Sequence, residues 1–296
     1  MNTQTQTRGA NPADLCGPGY WRALSPDLHI GALQQQPPTT PRQSYERLSQ
    51  RMEKEGYFGD GDALLLDLAP KLASAVQRIV DLGLPAVFVW VYDEPWACYQ
   101  RMRPVLARFL GDDFRVLPNF WAWHVDPSKG QTGWRPHRDL GSISLAPDGS
   151  PLALTCWIPL SDANPMNSCM YLVPADLDRH YRDPESNKHT QAEGHAVRAL
   201  PAKPGDYFIW TQAVLHWGSR SSVFAESPRL SMALEFQRAD ARPFASPFIE
   251  SEMFPQFSQR MRLIARQMLQ YQHLYGTFPR LLEFAKFLQN AEIRAD

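Results

Sequence analysis

The chain has 296 residues, with 30 basic and 31 acidic side chains, a formal net charge of -1 and an apolar share of 44%. A balance so near zero, without any Lys/Arg-rich run, gives no electrostatic footing for nucleic acid or an anionic membrane as the main partner. A small molecule is the expected partner, and the oligomeric state is left open. The length is enough to bury a sizeable core. Cys16, Cys98, Cys156 and Cys169 are scattered without a Cys-x-x-Cys pair, which argues against a disulfide framework or a structural zinc site. Met1 to Gly9 is polar and lacks the apolar core of a signal peptide, and the longest apolar run, Leu84 to Tyr92, is too short to span a bilayer. A soluble, cytoplasmic protein with reduced thiols is the expectation.

Residues 1–42 are rich in Gln, Thr, Pro and Gly and read as a partly irregular extension, with Tyr20-Trp21 and Leu28-His29-Ile30 able to dock on the body. Ser44 to Glu55 reads as a polar helix stopped by Gly56. Ala63 to Leu82 carries Leu65, Leu68, Leu72, Val76 and Ile79 at helical spacing before Gly83. The β-branched and aromatic run Ala86 to Tyr92 predicts a buried strand, and Pro95 to Leu110 a helix. From Phe114 the texture changes to short apolar runs separated by Pro, Gly, Asp and Asn. This predicts strands near 114–125, 152–160, 169–173, 195–200, 206–210, 213–218 and 229–237, an antiparallel sandwich or barrel. Residues 175–194 read as a long polar loop, and Phe257 to Tyr271 and Leu281 to Leu288 as amphipathic helices outside the sheets. The expected division is an extension over 1–42, a β domain over 43–240 and a helical segment over 241–296 packed on that domain.

Chemistry concentrates in Trp134-Arg135-Pro136-His137-Arg138-Asp139. Side chains two apart in an extended backbone share a face, and Pro136 disfavours helix before it. One imidazole and one carboxylate on one face are two thirds of the 2-His-1-carboxylate triad that leaves positions open on a non-haem iron. His216 is the best candidate for the third ligand. His124, with Asp126 in a second His-x-Asp triplet, is a competitor placed too early in the strand order. A surface His137/Asp139 pair and a hydrogen-bonded core His216 are the plain alternative.

The ordered series of that motif, Cys156-Trp157-Ile158-Pro159-Leu160-Ser161-Asp162-Ala163, Asn167-Ser168-Cys169-Met170-Tyr171-Leu172-Val173-Pro174, and Lys203-Pro204-Gly205-Asp206 leading to His216 resembles the phytanoyl-CoA dioxygenase family. The resemblance implies a mostly β protein with flanking helices around a double-stranded β-helix, or jelly-roll, core. It implies Fe(II) held by His137, Asp139 and His216, with 2-oxoglutarate and O2 taking the open positions and succinate and carbon dioxide as products. An Asp at 139 fills the place that halogenases of this chemistry leave to a small residue, so hydroxylation or a related C–H oxidation is the expected reaction. Two departures stand out: Ser168 where the family turn usually has Gly, and Trp217 where many members have a small residue.

Alternation along Arg229 to Phe236 places Arg229, Ser231 and Ala233 on one face and Leu230, Met232, Leu234 and Phe236 on the other. An Arg on an inner face is costly unless it meets an anion, and its fork matches a carboxylate. Arg229, followed by Ser231, fits the family's 2-oxoglutarate arginine better than Arg220, which lies in a loop-like run. Thr155 and Trp157 share a face, and Trp157 and Asn167 match cofactor-side positions of the family. On the substrate side the expected set is Trp121, Trp123, Trp134, Arg138, Tyr171 and Trp217. Two rival functions stand beside the oxygenase: a zinc hydrolase on the same triad, in which the metal activates water, and a non-catalytic jelly-roll binding module.

Overall fold

The computed structural model describes residues 12–34, 36–249, 254–275 and 279–290. Its helices are α1 (Pro12–Leu15), α2 (Pro18–Leu24), α3 (Tyr45–Glu55), α4 (Ala63–Asp81), α5 (Asp93–Arg101), α6 (Arg103–Leu110), α7 (Phe257–Gln270), α8 (Gln272–Tyr275) and α9 (Pro279–Asn290). Its strands are β1 (Tyr57–Gly61), β2 (Arg115–Val125), β3 (Ala153–Pro159), β4 (Met170–Val173), β5 (Arg198–Leu200), β6 (Asp206–Thr211), β7 (Leu215–Gly218) and β8 (Arg229–Gln237).

The strands make two antiparallel sheets, ordered β1-β6-β3-β8-β2 and β5-β4-β7. Together with the flanking helices they give the jelly-roll architecture that the strand pattern predicted. β3 and β8 are central in the larger sheet and buried along their whole length. Each therefore has two inner faces. Leu154, Cys156 and Ile158, with Leu230, Met232, Leu234 and Phe236, meet the helices in the main core. Thr155, Trp157, Arg229, Ala233 and Glu235 face a cavity between the sheets.

Three local readings change. Ala86–Val91 is a 3-10 helix rather than a strand, with all six residues buried. A short, wholly apolar run has no period to separate strand from buried helix. Here Pro85 precedes the first turn, and Trp90 donates its Nε1–H to the Trp121 carbonyl at 3.1 Å instead of pairing in a sheet. The helix expected over 95–110 is two helices, with Pro104 in the first turn of the second, where its missing N–H costs nothing. β1, unforeseen because Gly59, Asp60 and Gly61 are poor strand formers, pairs with β6 at the sheet edge.

Buried charge ties both ends of the chain to the body. Asp93, fully buried, accepts from the backbone N–H of Gly31, Ala32 and Leu33 at 2.9, 3.0 and 3.0 Å. It also pairs with Arg260 of α7 at 2.6 Å, and Arg260 donates to the Val91 carbonyl at 2.8 Å. Trp21, Leu28 and Ile30 join the main core, as their apolar character suggested. Gln35 and Met1 to Gly9 lie outside the described residues.

Candidate active site

The segment bearing His137 is laid alongside β7 by reciprocal backbone hydrogen bonds: His137 N–H to the His216 carbonyl at 3.0 Å and His216 N–H to the His137 carbonyl at 2.9 Å. The approach is close because both strands carry glycine. A Cβ on Gly218 would lie 2.6 Å from the Gly133 Cα, well inside van der Waals contact. The neighbouring turn puts Ser168 at φ 74°, the left-handed region that favours glycine. Its hydroxyl donates to the Ser219 carbonyl and accepts from the Gly133 N–H, so serine ties this corner together at a position of backbone strain.

His137, Asp139 and His216 converge, with one ligand atom from each lying within 4.8 Å of the others. Asp139 Oδ1 is 3.5 Å from His137 Nε2 and 3.6 Å from His216 Nε2. Each Nδ1 is occupied by a backbone carbonyl, that of Arg135 at 2.8 Å and that of Val214 at 3.0 Å. That contact fixes the tautomer and leaves both Nε2 lone pairs for a metal. Thr155 donates to Asp139 Oδ2 at 2.7 Å, turning Oδ1 toward the imidazoles. Burial opposes charge on Asp139, but His216, His137 and the Thr155 hydroxyl overcome it and hold the carboxyl well below the usual range. Burial pushes His216 down to about 4, toward the neutral ligand form. Burial also opposes charge on His137, but Asp139 outweighs it and raises that ring, so a metal would take the place of its proton; two imidazoles and one carboxylate then fit a divalent iron that keeps open positions.

These groups open on a cavity of about 600 Å³, within the range of small-molecule sites. Arg229 lines it at 2% exposure, donates from Nη1 to Ser231 Oγ at 2.8 Å, and leaves Nε without a partner. Among the described residues it has no ion pair with a carboxylate. Burial lowers it to about 10, so it stays cationic at neutral pH. The indole N–H groups of Trp157 and Trp210, also on the cavity wall, have no acceptor. Buried donors without acceptors suit an anionic, oxygen-rich ligand, which is what the oxoacid would bring. Ser231 acts on this end only through its contact with Arg229.

Other expected residues fall elsewhere. Trp121, Trp123 and Trp134 line the cavity together, with Trp121 and Trp123 stacked at 5.5 Å. Arg138, Tyr171 and Trp217 do not. Alternation turns each to the outer face, since Arg138 stands between two inward ligands and Trp217 follows His216. Tyr171 and Trp217 stack on each other at 5.9 Å. Arg138 instead clamps the 175–194 segment, through Asp178 at 2.6 Å and the Ser186 carbonyl at 3.1 Å, while also donating to the Ala213 carbonyl before β7 at 2.7 Å. Asn167 spends its amide on Asn164 and Asp162 of its own turn and on the Ser227 carbonyl just before β8, and is not a cavity residue. His124 bonds Gln77 at 3.1 Å and Asp126 caps a turn, so the rival triplet builds no site.

Sequence reasoning missed Glu235, Arg266, Gln270 and Tyr271, all on the cavity wall. Glu235 is one further step of the alternation that picked out Arg229, Ser231 and Ala233. Arg266 and Gln270 are one helical turn apart on α7, but an amphipathic pattern alone does not say that its polar edge faces a cavity.

A jelly roll that gathers two imidazoles and a carboxylate beside a buried, anion-seeking arginine defines a class, the mononuclear non-haem iron oxygenases. The family model of phytanoyl-CoA dioxygenase (PhyH) matches residues 31–222, and the chain belongs to that family. It is a 2-oxoglutarate-dependent dioxygenase, an oxidoreductase whose cofactors are ferrous iron, 2-oxoglutarate and O2. Among solved structures, the 2-oxoglutarate-dependent carbocyclase SnoK from nogalamycin biosynthesis is similar, with TM-score 0.52 and 17% identity over 73% of this chain and 98% of that one. EctD from S. alaskensis, solved with 2-oxoglutarate and 5-hydroxyectoine, is similar with TM-score 0.50 and 14% identity over 74% of this chain and 90% of that one. These likenesses show the shared fold. No curated protein matches the sequence closely enough to be counted a relative. Among the described residues no helix is long and apolar enough to cross a membrane.

Proposed function

We propose that the chain hydroxylates an unactivated C–H bond of a small metabolite. One substrate, one 2-oxoglutarate and one O2 would give the alcohol, succinate and carbon dioxide. The observation that carries this reading is the pairing of a converged His137/Asp139/His216 set with a buried Arg229 that has no carboxylate partner among the described residues. When bound, the iron supplies reductive activation of O2 coupled to decarboxylation of the oxoacid.

The protein's own part is positioning and exclusion. His137, Asp139 and His216 hold the metal on one side. Thr155 orients the Asp139 carboxylate, and the Arg135 and Val214 carbonyls orient the rings. Arg229, steadied by Ser231, takes the far carboxylate of the oxoacid, and the Trp157 indole N–H on the same cavity wall offers a further donor. Trp121, Trp123 and Trp134 keep water from the substrate side.

A buried cation facing the cavity answers the oxoacid's carboxylate, which the oxygenase requires and a zinc hydrolase on the same triad does not, and a binding module has no evident need for the complete set. Anaerobic protein reconstituted with Fe(II) should bind 2-oxoglutarate, and after admission of O2 should release succinate in step with oxidised product. Activity that persists under strict anaerobiosis would move the reading to the hydrolase.

A further inference from the structure

The cavity has two chemically opposite ends. At one end Arg229 is a buried cation with a free Nε donor. At the other Glu235 is a buried acid beside an amide oxygen that lacks a donor. Glu235 is 6% exposed and lines the cavity. Asn119 donates to it at 2.9 Å, yet the Asn119 Oδ1, itself buried, has no donor. Gln212, whose side chain also reaches the Glu235 carboxyl, leaves its own Oε1 without a donor. Among the described residues no Lys, Arg or His pairs with Glu235. The other cation on the cavity wall, Arg266, donates to the Pro118 carbonyl at 3.0 Å and forms no ion pair with it.

The Glu235 carboxyl is met by Asn119, Gln212 and Trp121, but the Asn119 oxygen on the cavity wall lacks a donor, so that corner still has room for an N–H group. Beside it stand aromatic faces: Trp121 lies 4.4 Å from Tyr271 and 5.7 Å from Trp134, ring centre to ring centre. An acid beside indole and phenol rings is the combination that recognises organic cations. Ala233, cross-strand from both Trp121 and Trp157, is too small to fill the floor between them and leaves the way open from Glu235 to the metal ligands.

We propose that Glu235 is the specificity-determining residue of the substrate end, and that the substrate carries a protonated amine bound there by Glu235 and Asn119. This rests on the oxygenase reading for the other end of the cavity. The anionic oxoacid takes the donor end and the cationic substrate the acceptor end. In the empty cavity burial keeps a proton on Glu235; the ammonium takes that proton's place, so that opposite charges sort the two ligands within one cavity, and the substrate's reacting carbon lies between the amine and the metal.

The test uses anaerobic protein loaded with Fe(II) and 2-oxoglutarate, titrated with hexylammonium, 1-hexanol and hexanoate and followed by calorimetry and tryptophan emission. At about pH 8.5 and above, where Glu235 is ionised, hexylammonium is expected to bind at least about tenfold more tightly than hexanol, the worth of one charge-assisted contact. Glu235→Gln, which keeps the shape, should abolish that preference while hexanol affinity and 2-oxoglutarate binding are unchanged. Equal affinity for the three probes, absence of binding by all of them, tighter binding of hexanoate, or a preference that survives Glu235→Gln overturns the proposal. Should Glu235→Gln not fold, the wild-type comparison decides alone. Loss of 2-oxoglutarate binding in the wild type with the ammonium preference intact would instead sink the oxygenase reading and leave the amine pocket standing.

Discussion

Thr155 shows how one hydroxyl can matter to a metal it does not touch. It donates to Asp139 Oδ2 and receives a contact from Gln212 at 3.3 Å, so it decides which carboxylate oxygen turns toward the imidazoles. Thr155→Val preserves shape and removes the donor. Fe(II) or Co(II) affinity should fall about 10–100-fold, measured by anaerobic titration, with little change in melting temperature. Arg229→Gln should leave metal binding intact and weaken 2-oxoglutarate by about 10–100-fold, the loss of one charged hydrogen-bonding partner, read as a rise in its Kd. At this scale the sequence was informative where alternation could be counted from a secure anchor. His137 fixes Asp139 inward, and Arg229 fixes Ser231 and Ala233. The same count, carried one residue from His137 and from His216, would have turned Arg138 and Trp217 outward. Extended to Glu235, it would have found the buried acid. Asn167 was lost for a different reason, because a turn amide has backbone partners on every side that no strand period reveals.

Among the elements, the 175–194 segment is held to the body by Arg138, which sits between two ligand residues and points the other way. Its guanidinium meets Asp178, which is 6% exposed, and carbonyls at Ser186, Ala213 and, at 3.4 Å, His189. Arg138→Ala leaves Asp178 buried without its cation, a change that costs about 3–5 kcal/mol. Amides of 175–194 should exchange faster by hydrogen–deuterium exchange, and metal affinity should drop less than for a ligand substitution. Unaltered exchange in that segment would show that the clamp is dispensable. Strands with a clean period were legible from sequence. The wholly apolar Ala86–Val91 was not, because burial on every side erases the period that separates a strand from a tight helix. β1 was hidden by its glycines, one of which is needed where the Phe208 ring would stand 2.5 Å from a Cβ on Gly59.

On the scale of the whole molecule, Arg260 and Asp93 join α7 to the N-terminal half in a single buried pair. Arg260→Met should lower stability by about 3–5 kcal/mol, seen in denaturant unfolding, and loosen the cavity wall that α7 supplies. Glu235 gives the molecule a pH signature. Burial, reinforced by the Asp139 charge, raises its carboxyl from the ordinary 4.5 to about 8; Tyr271 and Arg266 also face it. The folded form therefore keeps a proton that the unfolded chain releases. The associated stability is complete below about pH 4.5 and is lost as pH rises through about 8. Glu235→Gln, free of that titration, should gain on the wild type in metal-free melts between about pH 5 and about pH 8.5 by a few degrees. A gap that is constant with pH would show that Glu235 does not carry the shift. Arg229 and Glu235 stand on one strand, β8, six residues apart and both facing the cavity. A one-residue slip of that strand would turn both away together, so the grip on the oxoacid and the wall around the substrate rise or fall with a single register.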